Sequence, residues 1–167
     1  MSNVSICTLV VALFISAVQC NGLNPPAIGS GLDGPCSATP IYGPYHDYIP
    51  TLAFGNTSNA VPNNSSSLMC NIQQTYTVWY LVKSHNRANP IVININSPDF
   101  APVFTVYSGD CTTGVFGNCI THGTVPSGHS QWAFQPQTTN PVYLSVGAEG
   151  DASGAFEMGL TQNENCC

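Results

Sequence analysis

Tyr76-Thr77-Val78-Trp79-Tyr80-Leu81-Val82 and Pro90-Ile91-Val92-Ile93-Asn94-Ile95-Asn96 decide the fold. Successive side chains of an extended chain point to opposite sides, so Ile91, Ile93 and Ile95 share one face while Asn94 and Asn96 share the other. One side is built for burial and the other for water. The two-residue period is followed downstream by short strand-like runs in Pro102-Val103-Phe104-Thr105-Val106-Tyr107, in Val115 to Thr121 and in Gln131-Trp132-Ala133-Phe134-Gln135. It returns again in Pro141 to Val146, with Val142, Leu144 and Val146 inward, and in Ala155 to Leu160, with Phe156, Met158 and Leu160 inward. Upstream, Pro40-Ile41-Tyr42 and Ile49 to Phe54 are broken by Gly43, Pro44 and Pro50, a pattern of edge strands. Gly, Pro, Asn or Asp stands at nearly every junction, and no 3.6-residue period outlasts one turn. The expected fold is all-β: an antiparallel jelly-roll or Ig-like β-sandwich of eight to nine short strands. Trp79, Phe104, Val106, Leu144 and Phe156 are its expected core.

Charge narrows the partners. The 167 residues hold 2 Lys+Arg against 8 Asp+Glu, a formal net charge of −6. Lys83 and Arg87 are the only cations, too few to neutralise a run of phosphates, which excludes a nucleic-acid partner. Charged residues make up 6% of the chain where roughly a quarter is ordinary. Helix surfaces draw on Glu, Lys and Arg, so helical bundles are excluded as well.

Residues 1–20 read as a signal peptide, with Leu9 to Val18 as an apolar run of secretory length and Val18-Gln19-Cys20 as the cleavage site, although Met1 to Thr8 carry no basic residue. The run is short for a membrane span, and no later stretch competes with it, so no membrane contact is expected once the leader is gone. Residues 21–34, rich in Gly, Pro and Asn, form an expected extended arm; residues 35–167 form a single sandwich domain. The expected location is extracellular.

Loss of the leader leaves Cys36, Cys70, Cys111, Cys119, Cys166 and Cys167. Spacing favours Cys111 with Cys119 across a short loop, and then Cys36 with Cys70. Adjacent Cys166 and Cys167 cannot easily bridge each other, so one reaches back to Cys36 or crosses to a second chain, or the pair stays reduced or capped. Asn56, Asn63 and Asn64 each begin an Asn-x-Ser/Thr triplet and are candidate glycosylation sites.

The order Asp33-Gly34-Pro35-Cys36-Ser37-Ala38-Thr39-Pro40-Ile41, Cys70, Thr77-Val78-Trp79-Tyr80, Phe104-Thr105-Val106-Tyr107-Ser108-Gly109-Asp110-Cys111, Cys119, Pro141-Val142-Tyr143-Leu144-Ser145-Val146-Gly147 and Gly154-Ala155-Phe156-Glu157-Met158 resembles the pre-peptidase C-terminal-like β-sandwich domains. The resemblance spans nearly all of the chain after the leader. It implies a secreted, non-catalytic module; such modules are usually appended to enzymes or adhesins, and no companion domain is seen here. Read from the residues alone, Tyr107-Ser108-Gly109-Asp110 is simply a turn closed by a disulfide.

Chemistry is sparse. His46, His85, His122 and His129 belong to no catalytic motif, and Ser127-Gly128-His129-Ser130 reads as a solvated turn. No catalytic residue and no metal ligand set is assigned. No cofactor is expected; scattered Asp99, Asp110 and Asp151 are the only carboxylates considered for calcium. Tyr42, Tyr45, Tyr48 and Trp132 are candidates for a sugar-stacking surface. The leading expectation is a structural glycoprotein whose copies self-associate into an extracellular filament or surface coat, with the arm adding a strand to a neighbour's sheet edge. The alternative is a monomeric lectin-like module that adheres by binding glycans.

Overall fold

The computed structural model describes residues 10–12, 15–17, 27–28, 34–42, 50–60, 70, 72, 74–83, 89–110, 115–125, 129–138 and 140–162. A two-stranded antiparallel ladder of β1 (Val10–Ala12) and β2 (Ile15–Ala17) stands apart from the rest. The remaining strands are β3 (Ala27–Ile28), β4 (Thr39–Ile41), β5 (Thr51–Asn56), β6 (Thr77–Val82), β7 (Ile91–Asn96), β8 (Pro102–Asp110), β9 (Val115–Thr124), β10 (His129–Phe134), β11 (Val142–Ala148) and β12 (Ala155–Gln162). They make two five-stranded sheets, ordered β10-β7-β12-β5-β3 and β4-β6-β11-β8-β9. From β5 onward the chain passes back and forth between the sheets, with only β8 and β9 joined as neighbours in one sheet. The architecture is an all-β sandwich.

The expected eight to nine strands are present, as the nine strands β4 to β12. In register, Leu144 sits between Tyr80 and Val106, and Ile93 between Trp132 and Leu160, so inward residues stack in rows across each sheet. The two inner faces meet in one core that includes Val78, Tyr80, Phe104, Val106, Leu144, Ile91, Ile93, Ile95, Met158 and Leu160. Each such side chain contributes roughly 1.5–3 kcal/mol of burial. Tyr80 and Phe156 meet edge to face across the core, ring centroids 6.2 Å apart, and the Tyr80 hydroxyl donates to the Phe54 carbonyl at 2.9 Å. Gly55 lies against both rings, where even a Cβ would collide, so this strand position must be glycine.

Four expectations need correction. The tenth strand, β3, comes from the stretch taken as an extended arm; because it pairs with β5, β5 is not an edge strand. The β3–β5 and β4–β6 pairings are parallel; all the others in the two sheets are antiparallel. Tyr107 to Asp110 form no turn: β8 runs on to Asp110, with register shifts against β9 near Tyr107. Trp79 is buried, but outside the main core, on the other side of its sheet.

Candidate functional site

The outward residues of the sheet containing β7 and β12 form two rows. Asn96, Glu157 and Phe54 lie side by side on β7, β12 and β5, followed by Asn94, Gly159 and Leu52. Gly159 interrupts the second row, and its missing side chain opens a groove between an amide wall and an apolar one. The groove, ≈ 390 Å³, is lined by Pro50, Leu52, Asn94, Asn96, Glu157 and Gly159. No hydrogen bond among the described residues engages the side chains of Asn94, Asn96 or Glu157, so two amides and one carboxylate face solvent uncommitted. Such a set donates and accepts toward hydroxyl groups, while Pro50 and Leu52 offer contact to C–H surface.

The outward face of the other sheet is covered instead. Cys70 is disulfide-bonded to Cys119 of β9, Cα atoms 5.3 Å apart, and lies in a second cluster with Trp79, Tyr107 and Tyr143. The rings of Trp79 and Tyr107 pack at 5.8 Å. Beside them Gln74 donates to the Val103 carbonyl at 2.6 Å and accepts from Ser145 at 2.7 Å, and Ser145 also bonds to Thr105. Ser145 and Thr105 are wholly buried although they point away from the core. Burial pushes the Tyr107 phenol above its ordinary pKa, against a smaller opposing pull from its hydrogen bond to Thr105.

The sandwich has two flanks, and they differ. On one, Trp132 of β10 turns inward, packs on Phe104 at 4.7 Å and lies against Gly123 of β9, tying the sheets together. On the other, a single N-terminal stretch supplies an edge to each sheet: β3 beside β5, with Ala27 opposite Ala53 and Ile28 opposite Phe54, and β4 beside β6. Between β3 and β4, Gly34 has φ 127°, a conformation that favours glycine, and Cys36 is disulfide-bonded.

The expected cysteine pairs are not formed. Cys119 sits opposite Tyr107 on β9 and its partner is Cys70, a bond that excludes both Cys111–Cys119 and Cys36–Cys70. Cys111, Cys166 and Cys167 lie outside the described residues, as do Asn63, Asn64, His46, His85, Arg87, Tyr45 and Tyr48.

Asn56 is exposed at the end of β5, where its Oδ1 accepts from the Ser58 amide at 2.8 Å; the intervening Thr57 is buried and bonded to Gly154. Of the aspartates considered for calcium, Asp99 precedes β8 and accepts from the Ala155 amide at 3.1 Å, Asp110 ends that nine-residue strand, and Asp151 lies in the connection between β11 and β12. Among the described residues no three His, Cys, Asp or Glu side chains gather as a metal group. Tyr42 is 64% exposed, but the inward turn of Trp132 removes it from any shared stacking surface. His122 is exposed on β9. Among the described residues no helix is long and apolar enough to cross a membrane.

Alternation in the sequence already set Asn94 and Asn96 on the solvent side, and inward Phe156, Met158 and Leu160 leave Glu157 and Gly159 on the other face, but that these residues meet in a groove was not legible, because a groove needs the neighbouring strands to be known. No protein-family profile and no curated protein matches the chain.

Proposed function

We propose that this chain is a secreted, non-catalytic structural glycoprotein that self-associates into an extracellular filament or coat. The observation that carries this reading is the flank built by the N-terminal stretch. Strand β3 joins its sheet through only two ladder positions, and that pairing rests on backbone groups that any copy of the chain can offer equally well. Charged residues make up only 6% of the chain, so few ionised groups have to give up water where copies meet. Occupied glycans at Asn56 and at Asn63 or Asn64 would keep other faces solvated. The test is deletion of residues 21–34, followed by light scattering and negative-stain microscopy of the secreted protein. Loss of large particles with an unchanged β-type circular-dichroism spectrum is expected; undiminished particles would refute the role of this stretch.

The groove favours a second reading, a glycan-binding module. Its amides, single carboxylate and apolar wall suit a neutral, hydroxyl-rich ligand, and they shift that reading from aromatic stacking to hydrogen bonding on a sheet face. A glycan array probed with the native chain and with Gly159→Leu, which fills the groove, separates the two: specific spots lost in the variant favour adhesion, and a blank array leaves assembly as the function.

A further inference from the structure

Resting on the self-association reading, we infer that β3 is exchanged between copies, each chain laying Ala27 and Ile28 along the β5 edge of the next. Packing defines which part can move. Strand β4 pairs with β6 over three positions and Ile41 is 1% exposed within the main core, so β4 is held to its own sandwich. The chain path from β3 to that anchor spans residues 29–38. That path contains Gly29, Gly31 and Gly34. Gly34 has φ 127°, and a Cβ there would meet nothing within 4 Å, so the joint is set by backbone conformation and not by packing. The six residues from Gly29 to Gly34 reach about 20 Å when extended, long enough to cross to an abutting copy.

The acceptor is equally defined. With β3 withdrawn, the outer edge of β5 presents the backbone groups of Ala53 and Phe54, which now face Ala27 and Ile28 in parallel register. An identical segment from a second chain satisfies them with the same hydrogen bonds, so exchange changes the ladder's energy little and is governed by hinge conformation and local concentration. Donor and acceptor are different patches of the surface. Each copy can therefore give to one neighbour and take from another, and the contact propagates head to tail into an open chain.

The test is cross-linking in the full-length chain. Ile28→Cys and Phe54→Cys face each other in the register, so differently tagged single variants are co-expressed and the double variant is expressed alone, with circular dichroism and a melting curve confirming that each folds. The expected result on non-reducing gels is a covalent heterodimer from the mixture and a ladder of multiples from the double variant. Should Phe54→Cys fail to fold, Leu52→Cys, two residues along the same face, is paired with Ile28→Cys through a short bismaleimide. Cross-links confined to monomers while large particles still form would overturn exchange and leave self-association standing. A dimer band with nothing larger would overturn the open chain, and native protein that stays monomeric by light scattering at every concentration would remove both ideas.

Discussion

The two outward faces of this sandwich share one sequence pattern and have opposite fates. Asn94, Asn96 and Glu157 alternate with buried Ile93, Ile95 and Met158 and look out into a groove. Thr77, Trp79, Thr105 and Ser145 alternate just as regularly with Val78, Tyr80, Val106 and Leu144, yet all four are buried. The difference lies in a stretch of chain elsewhere in the sequence: the one carrying Cys70 and Gln74 lies over the second face and is pinned there by the bond to Cys119. Alternation tells which side of a strand is which, and it does not tell whether the outer side meets water.

The strongest way to break this contrast is to release the pin. The Cys70–Cys119 bond closes a separation of 49 residues, for which chain-entropy arguments give about 4 kcal/mol and measured bridges more often 2–4 kcal/mol. Cys70→Ser with Cys119→Ser is expected to lose that much in urea unfolding and to red-shift the fluorescence of Trp79 as its cover loosens. An unchanged spectrum would show that the cover holds without the bond.

This division also explains what the sequence made legible. Every strand with an alternating apolar face was readable, because Ile91-x-Ile93-x-Ile95 and Val142-x-Leu144-x-Val146 state their own periodicity. β3 was not, because two residues state no period, and its pairing is made by backbone against a strand more than twenty residues away. The cysteine pairs failed for the same reason. Spacing in sequence favoured the short loop from Cys111 to Cys119, whereas β9 carries Cys119 along the sheet to meet a covering segment. Of the site, the amides of Asn94 and Asn96 were visible as the polar half of a strand, and the groove beside them was not, because Gly159 acts only through strands laid next to it.

Next in size is the polar layer beneath the cover. Gln74→Ala leaves the Val103 carbonyl and the Ser145 hydroxyl short of a buried partner. A cost of about 1–3 kcal/mol is expected. Ser145→Ala, which removes a smaller share of the same network, should cost less. Denaturant midpoints for the two variants give the comparison, and a cost near zero for both would mean that water reaches this face.

The covered face should also titrate differently. Burial holds Tyr107 above its ordinary value of 10.0, as it does Tyr80 in the core. A phenol whose pKa is higher in the folded chain than in the unfolded one adds stability that is complete below about pH 10 and is lost as pH rises toward the folded value. Melting temperature should therefore begin to fall only above about pH 10, and Tyr107→Phe should flatten part of that fall. If ultraviolet titration showed Tyr107 ionising at the ordinary value, the face would be open and the contrast lost.

The smallest effect belongs to the open face, and it sharpens the contrast most. Asn94→Ala and Glu157→Gln remove groups that bond to nothing among the described residues, so each should change unfolding free energy by no more than about 0.5 kcal/mol. Asn94 and Gln74 both carry side-chain amides and both lie outside the main core, so an unequal response to the same truncation isolates the cover as the cause. Equal costs would mean that Asn94 is engaged by something that covers the groove in solution. A loss at Asn94 that grows with protein concentration would identify that something as another copy of the chain.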